Sequence, residues 1–313
     1  MAGTSANETV VDIRRAGDLP MLYASALVAA DAPGGGHLRV RLPEGRLEGS
    51  GAPAAVQLGA STGAVGALDV TLAGPAPDRP AVLDGISLQF VGQRLALENV
   101  VLFGSPRTAI NATVTEELVL RGAVIAGTRI ADATQETVLT VSIAPGSEGS
   151  VLLEDSWLVD NGGPRLVMGL LARSGSGAGA TVRLLRSGLV ANTVVHDLLI
   201  DGTRRVELDH AVLVGREEET ARGLLLSAGT ELRVRDSLVA PGRGRAFLDP
   251  ESRSVSLTVE RSTAAADEEE LARLVEQGFE PASPKTLEAV AAAASLAAAG
   301  ATSAPAVRAK LGL

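Results

Sequence analysis

Two apolar residues two apart, a polar kink, a small residue and a second apolar run recur along the middle of the chain. Seven segments share this order: RLALENVVLFG, ELVLRGAVIAG, SVLLEDSWLVDN, TVRLLRSGLVAN, RVELDHAVLVG, ELRVRDSLVAPG and VSLTVERSTAAA. The second apolar position of each is Leu97, Leu120, Leu153, Leu184, Leu208, Val234 and Val259, at spacings of 23, 33, 31, 24, 26 and 25 by subtraction. Alternation with period two predicts strands that bury one face. A repeat of this length with strands and no helical periodicity predicts a β-solenoid.

A further strand is expected in each repeat, at 109–114, 137–143, 166–172, 194–200, 223–228 and 246–249, with length variation absorbed in turns such as APGSEGS, RSGSGAGA and DGTRR. The fold class read from this pattern is all-β: a right-handed parallel β-helix with three strands per coil and a short helical C-terminal tail. Over roughly Leu38 to Ala265 the pattern resembles the pectate-lyase-like superfamily of parallel β-helices, at the level of architecture. The expected division is an N-terminal extension or cap over 1–37, the β-helix over 38–265 and a helical cap or docking tail over 266–313. The coils before Leu97, around LRVRLPEG and GALDVTLAG, are less regular, which leaves them open to being part of an N-terminal cap.

The tail changes composition. DEEELARLVEQ (Asp267 to Gln277) predicts a helix with acids at its start, where the helix dipole favours them. Leu271, Leu274 and Val275 form its expected apolar face. Thr286 to Ala299 predicts a second, Ala-rich helix, with Pro281 and Pro284 between the two. An open solenoid end exposes apolar side chains and strand edges, so capping is the first expectation for the tail and partner docking the second.

Stacking in register places equivalent residues on neighbouring strands. The outward column is then Glu98, Arg121, Glu154, Leu185, Asp209, Arg235 and Glu260, mostly alternating in charge. Two residues earlier, Glu207 falls between Arg183 and Arg233. The kink column reads Asn99, Gly122, Asp155, Arg186, His210, Asp236 and Arg261. Opposite charges side by side contribute a few tenths to about 1 kcal/mol each, so a register-setting ladder is the leading explanation. The next column, Val100, Ala123, Ser156, Ser187, Ala211, Ser237 and Ser262, is small throughout. Its serines read as turn-stabilising groups, since no nucleophile elbow surrounds any of them.

Composition narrows function. Of 313 residues, 28 are Lys or Arg and 37 are Asp or Glu, for a net charge of −9, and no basic stripe runs along the chain, so no nucleic-acid partner is expected. Cysteine is absent, which removes disulfides, thiol nucleophiles and Cys-ligated metals. No cofactor or metal is expected. Residues 290–301, the most apolar stretch, are too short to span a bilayer. No apolar run reads as a secretory signal in Met1 to Arg15, which favours a cytoplasmic protein or part of a larger complex, although a chain trimmed of its signal would look the same.

The enzyme candidates are Glu207, Asp209, His210 and Asp236, with Asp201 and Arg204 of the DGTRR turn nearby, and His196 beside Asp197 as a further pair. An imidazole among carboxylates is what a general base or metal site requires. Enzymes of the resembling architecture place carboxylates and an Arg on this face and act on acidic polysaccharides, sometimes through Ca²⁺. Their motifs N-T-D, G-H-G and R-I-K are absent, and Trp157 holds a strand anchor position where packing, not sugar stacking, is expected. The expectation is a non-catalytic scaffold or binding module whose partner is a protein or another copy of itself. The alternative is a lyase or glycoside hydrolase acting on a polysaccharide.

Overall fold

The computed structural model describes residues 8–32, 35–49, 54–59, 67–130, 137–162, 168–174, 180–194, 196–202, 204–216, 224–242, 246–249, 252 and 254–312. Half of the structure is strand, and the pairing is parallel. The chain is thus predominantly β, with long parallel sheets and few helices, consistent with an all-β parallel solenoid. The glycine-rich turn at 175–179 and the starts of the strands expected at 166 and 223 lie outside the described residues.

A 15-stranded sheet and a 10-stranded sheet carry the fold. In the first, strands Ser150–Glu154, Thr181–Leu185, Arg205–Asp209, Glu231–Arg235 and Ser256–Glu260 follow one another in register. Leu97, Leu120, Leu153, Leu184, Leu208, Val234 and Val259 are consecutive partners, as the period-two pattern requires. All but the half-buried Val259 are fully buried in the interior core. The column extends backwards through Leu72, Val40 and Val11, so the first sheet already begins at Glu8. Gly36–Arg41 and Leu68–Ala73 are regular members of it.

A second series of strands branches from the same sheet. Thr137–Ile143, Met168–Ser174 and His196–Asp201 pair in succession, and Ile86–Glu98 and Ile110–Arg121 are long enough to serve both series. At 246–249 only an isolated bridge, Leu224 to Leu248, replaces the expected strand.

The turn between the two sheets repeats its backbone at every level. Asn99, Gly122, Asp155, Arg186, His210, Asp236 and Arg261 all have positive φ, between 45° and 59°. Asn, Asp and Gly tolerate this left-handed conformation readily, whereas a longer side chain is held there at some cost. Arg186 and Arg261 are held by forks: Arg186 donates to both carboxylate oxygens of Asp155 at 2.9 and 2.7 Å, and Arg261 to those of Asp236 at 2.7 and 2.6 Å. The small residues that follow turn inward. Ser187 Oγ accepts the N–H of Ser156 at 2.9 Å and donates to Leu185 O at 2.8 Å, and Ser156, Ser237 and Ser262 repeat the scheme. Each hydroxyl satisfies a buried backbone donor that the turn removes from the sheet ladder.

Four α-helices are described. The first, α1 (Met21–Ala30), buries Leu22, Ala26 and Ala29 against the interior core at the N-terminal end. At the other end α2 (Glu268–Glu276) starts on the Asp267 side chain, which accepts the Glu270 N–H. Leu274 and Phe279 enter the interior core, and Phe279 meets Phe247 edge-on at 5.5 Å. Val275, expected on the apolar face, is exposed, whereas Leu274 and Phe279 are buried. The Glu270 carboxyl accepts the Phe247 N–H at 2.7 Å, and burial pushes its pKa up.

The rest of the tail takes a path the sequence pattern did not suggest. Glu280–Pro281 first adds to the edge of the 10-stranded sheet. Then α3 (Pro284–Ala294), with Pro284 inside its first turn, and α4 (Ala304–Lys310) lie along the outer face of that sheet. There Val101, Val124, Trp157, Val212 and Leu238 share an apolar cluster with Ala293, Leu296, Ala304 and Val307. This second core is separate from the interior one.

Candidate functional site

The kink column divides the candidate residues between two concave surfaces. On the outer face of the first sheet a groove of about 520 Å³ is lined by Arg183, Glu207, Asp209, Arg233, Arg235 and Glu260. Across the kink, His210 and Asp236 line a separate cavity of about 440 Å³ against the C-terminal tail. Alternation along Arg205–Asp209 explains the division: Val206 and Leu208 point inward and Glu207 and Asp209 outward, while His210, in the left-handed turn that follows, lines the cavity beside the second sheet.

Two of the groove's carboxylates, Glu207 and Asp209, are engaged by neighbouring guanidinium groups. Arg183 Nε lies 2.7 Å from Glu207, and Arg205 lies 3.8 Å from it. Arg233, the register partner of Glu207, turns instead to Glu231 at 2.6 Å, so Glu207 has one close cation where two were expected. The same strand carries Glu231, which also receives Arg205 at 3.0 Å. Arg121 reaches Glu154 at 3.1 Å, and Arg39 reaches Glu98 at 3.5 Å.

One oxygen of Asp209, one nitrogen of His210 and one oxygen of Asp236 lie within 4.8 Å of one another. His210 Nδ1 is 2.7 Å from Asp209 Oδ1. Both carboxylates carry a guanidinium as well: Arg235 forks onto Asp209, and Arg261 onto Asp236. These hydrogen bonds hold both carboxyls below the usual aspartate range, Asp209 chiefly through Arg235 and Asp236 chiefly through Arg261. A cation bound by these three side chains would have to compete with two guanidinium forks already in place. The donor set fits a metal in kind, but its charge is already balanced.

Glu207 does not belong to this group, being held on the sheet face by Arg183. Among the described residues no hydrogen bond or ion pair joins Asp201 or Arg204 to Glu207, Asp209, His210 or Asp236. His196 is buried in the branch series, with Nδ1 3.9 Å from Asp249 Oδ2, on a different strand series from His210.

Several structural polar residues were not singled out in the sequence. Asn161 and Asn192 are 1% exposed and stacked: Asn192 Oδ1 accepts both the backbone N–H and the Nδ2 of Asn161 at 3.0 Å. Asn161 Oδ1 in turn accepts the Thr128 N–H at 3.0 Å. The endings L-V-D-N and L-V-A-N of two aligned segments were the available signal. Asp160, with φ 50°, accepts the Ala298 N–H at 2.9 Å and pairs with Arg129 at 3.0 Å and Arg216 at 2.8 Å, which ties the tail to the sheet. Trp157 is 2% exposed, lying beneath the tail and beside Gly188, where a Cβ would stand 2.6 Å from its ring.

Comparison with models of known protein families gives no match, and comparison with curated proteins gives none either. No helix among the described residues is long and apolar enough to cross a membrane.

Proposed function

We propose that the chain is a non-catalytic scaffold or binding module, built as a right-handed parallel β-helix of three strands per coil with pectate-lyase-like architecture. The recurrence of first-sheet strand, second-sheet strand and branch strand along the chain supports the three-strand coil. The observation that carries the functional reading is the pairing of the acids. Glu207, Asp209 and Asp236, the carboxylates a polysaccharide-cleaving enzyme would turn on its substrate, each hold a guanidinium group. A charge ladder of this kind fixes register and presents a rigid, finely mixed surface suited to a protein partner or a second copy of the chain.

The competing reading, a lyase or glycoside hydrolase, draws on the groove beside Glu207 and Asp209. Purified protein is incubated with a panel of neutral and acidic polysaccharides, with and without Ca²⁺, and release of reducing or unsaturated ends is followed. No turnover is expected. Turnover that Asp209→Asn or Glu207→Gln abolishes while the melting temperature holds would overturn the scaffold reading.

A further inference from the structure

We infer that the seam between the kink column and the C-terminal tail is a binding site for a small organic anion with an apolar body. The cavity there, about 440 Å³, falls in the size range of small-molecule sites. Its floor is apolar: Trp157, Val212 and Leu238 from the second sheet, with Ala289 of α3 beside them. Its polar rim is cationic in a protein whose net charge is −9.

The surplus positive charge is local. Arg186 and Arg261 also line the cavity, but each is balanced by its aspartate fork. Lys285, in the first turn of α3, forms no ion pair among the described residues. Arg308, in α4, makes among the described residues one ion-pair contact, 3.7 Å from Asp155, which is already forked by Arg186. Two weakly committed cations therefore overhang an apolar floor.

A second cavity of about 380 Å³ adjoins on the other side of Trp157 and Arg308, lined by Pro77, Ala304 and Pro305 among others. The two cavities share Trp157 and Arg308, so the apolar body of a ligand has room to extend along the seam. The expected pose sets the anionic group between Lys285 and Arg308 and the apolar body over Trp157. Charge-assisted hydrogen bonds supply orientation, and the excluded apolar surface supplies affinity. Because the two weakly committed cations belong to the tail and most of the floor to the second sheet, an occupant also holds the two together. This inference does not depend on the scaffold reading.

Trp157 is the chain's one tryptophan, so its emission reports on this floor alone. Protein is titrated with octanoate, octyl phosphate, octanol and inorganic phosphate, none of which absorbs in the tryptophan band. A saturable change in Trp157 emission is expected with octanoate or octyl phosphate, and the stronger of the two identifies the head group as carboxylate or phosphate. Octanol and inorganic phosphate, each lacking one half of the recognition, are expected to bind at least about tenfold more weakly. Lys285→Ala and Arg308→Ala are each expected to weaken the anion by about tenfold, with the far-ultraviolet circular dichroism unchanged. No saturable change with either anion, an equal response to octanol, or affinity indifferent to both substitutions would overturn the inference.

Discussion

Asp160→Asn tests whether the tail is a separable strap locked by one buried carboxylate. The substitution suits the site because Asn accepts φ near 50° as readily as Asp does and keeps an oxygen for the Ala298 N–H. What it removes is charge: the 3.0 Å pair with Arg129 and the 2.8 Å pair with Arg216. Arg129 and Arg216 are 55% and 30% exposed, so solvent screens part of the loss, but the Asp160 side chain itself is only 9% exposed. Exposed pairs are worth at most about 1 kcal/mol and charge-assisted bonds to a buried group about 1.5–3. Both arginines belong to the sheets, so the tail itself loses only the charge assistance of the Ala298 bond, about 1 kcal/mol, a factor of about 5 in the docking equilibrium. Asp160→Ala should lose about 1 kcal/mol more, since it also abandons the Ala298 N–H and places Ala in the left-handed region. Trp157 emission under increasing urea reads the event, because the indole is covered by the tail. The expected result is a red shift at lower urea in the variant, preceding loss of β circular dichroism. An emission curve identical to that of the parent, or a single transition shared with the β signal, would refute the idea of a separately docked strap.

Ser187→Ala leaves the buried Ser156 N–H without its acceptor and should lower stability by about 1–2 kcal/mol in urea denaturation; an unchanged midpoint would argue against the hydroxyl ladder as a stabilising element. Glu207→Lys puts a cation beside Arg183 and Arg205 and should cost about 1 kcal/mol, measured in the same way; a loss several times larger would mean that the ladder does more than set register. The folded-state pKa values of Asp209 and Asp236 lie below the usual aspartate range, so their stabilisation is complete above that range and is lost as pH falls through the depressed values. Melting temperature should therefore fall as the solution is taken from about pH 6 to about pH 3, and less steeply for Arg261→Gln, whose parent guanidinium is the main cause of the Asp236 shift; equal slopes for the two proteins would refute that attribution.

Local chemistry made the solenoid legible. An apolar residue every second position, followed by one kink and one small residue, allows a single stacking register, because a slip by one would turn Leu97, Leu120 and their partners to solvent. The charge columns followed from the same register, down to the juxtaposition of Asp155 with Arg186 and of Asp236 with Arg261. The one-residue kink was visible too, although its left-handed backbone at Arg186 and Arg261 was not, since arginine does not favour it.

Other features depended on which surfaces meet. Glu207 and Arg233 are register partners, yet Arg233 turns to Glu231 on its own strand, a choice of rotamer that spacing does not encode. An Ala-rich segment such as Pro284–Ala294 offers little side-chain pattern to aim it, so its docking beside Trp157 depended on an apolar outer face to which successive strands contribute one or two residues each. Asp160 and Ala298, 138 residues apart, illustrate the limit: nothing local to either says that a carboxylate on one will meet the backbone N–H of the other. The repeat determined the coil, because each coil needs only its neighbour. The seam, its cations and its apolar floor exist only once the tail has folded back across the finished sheet.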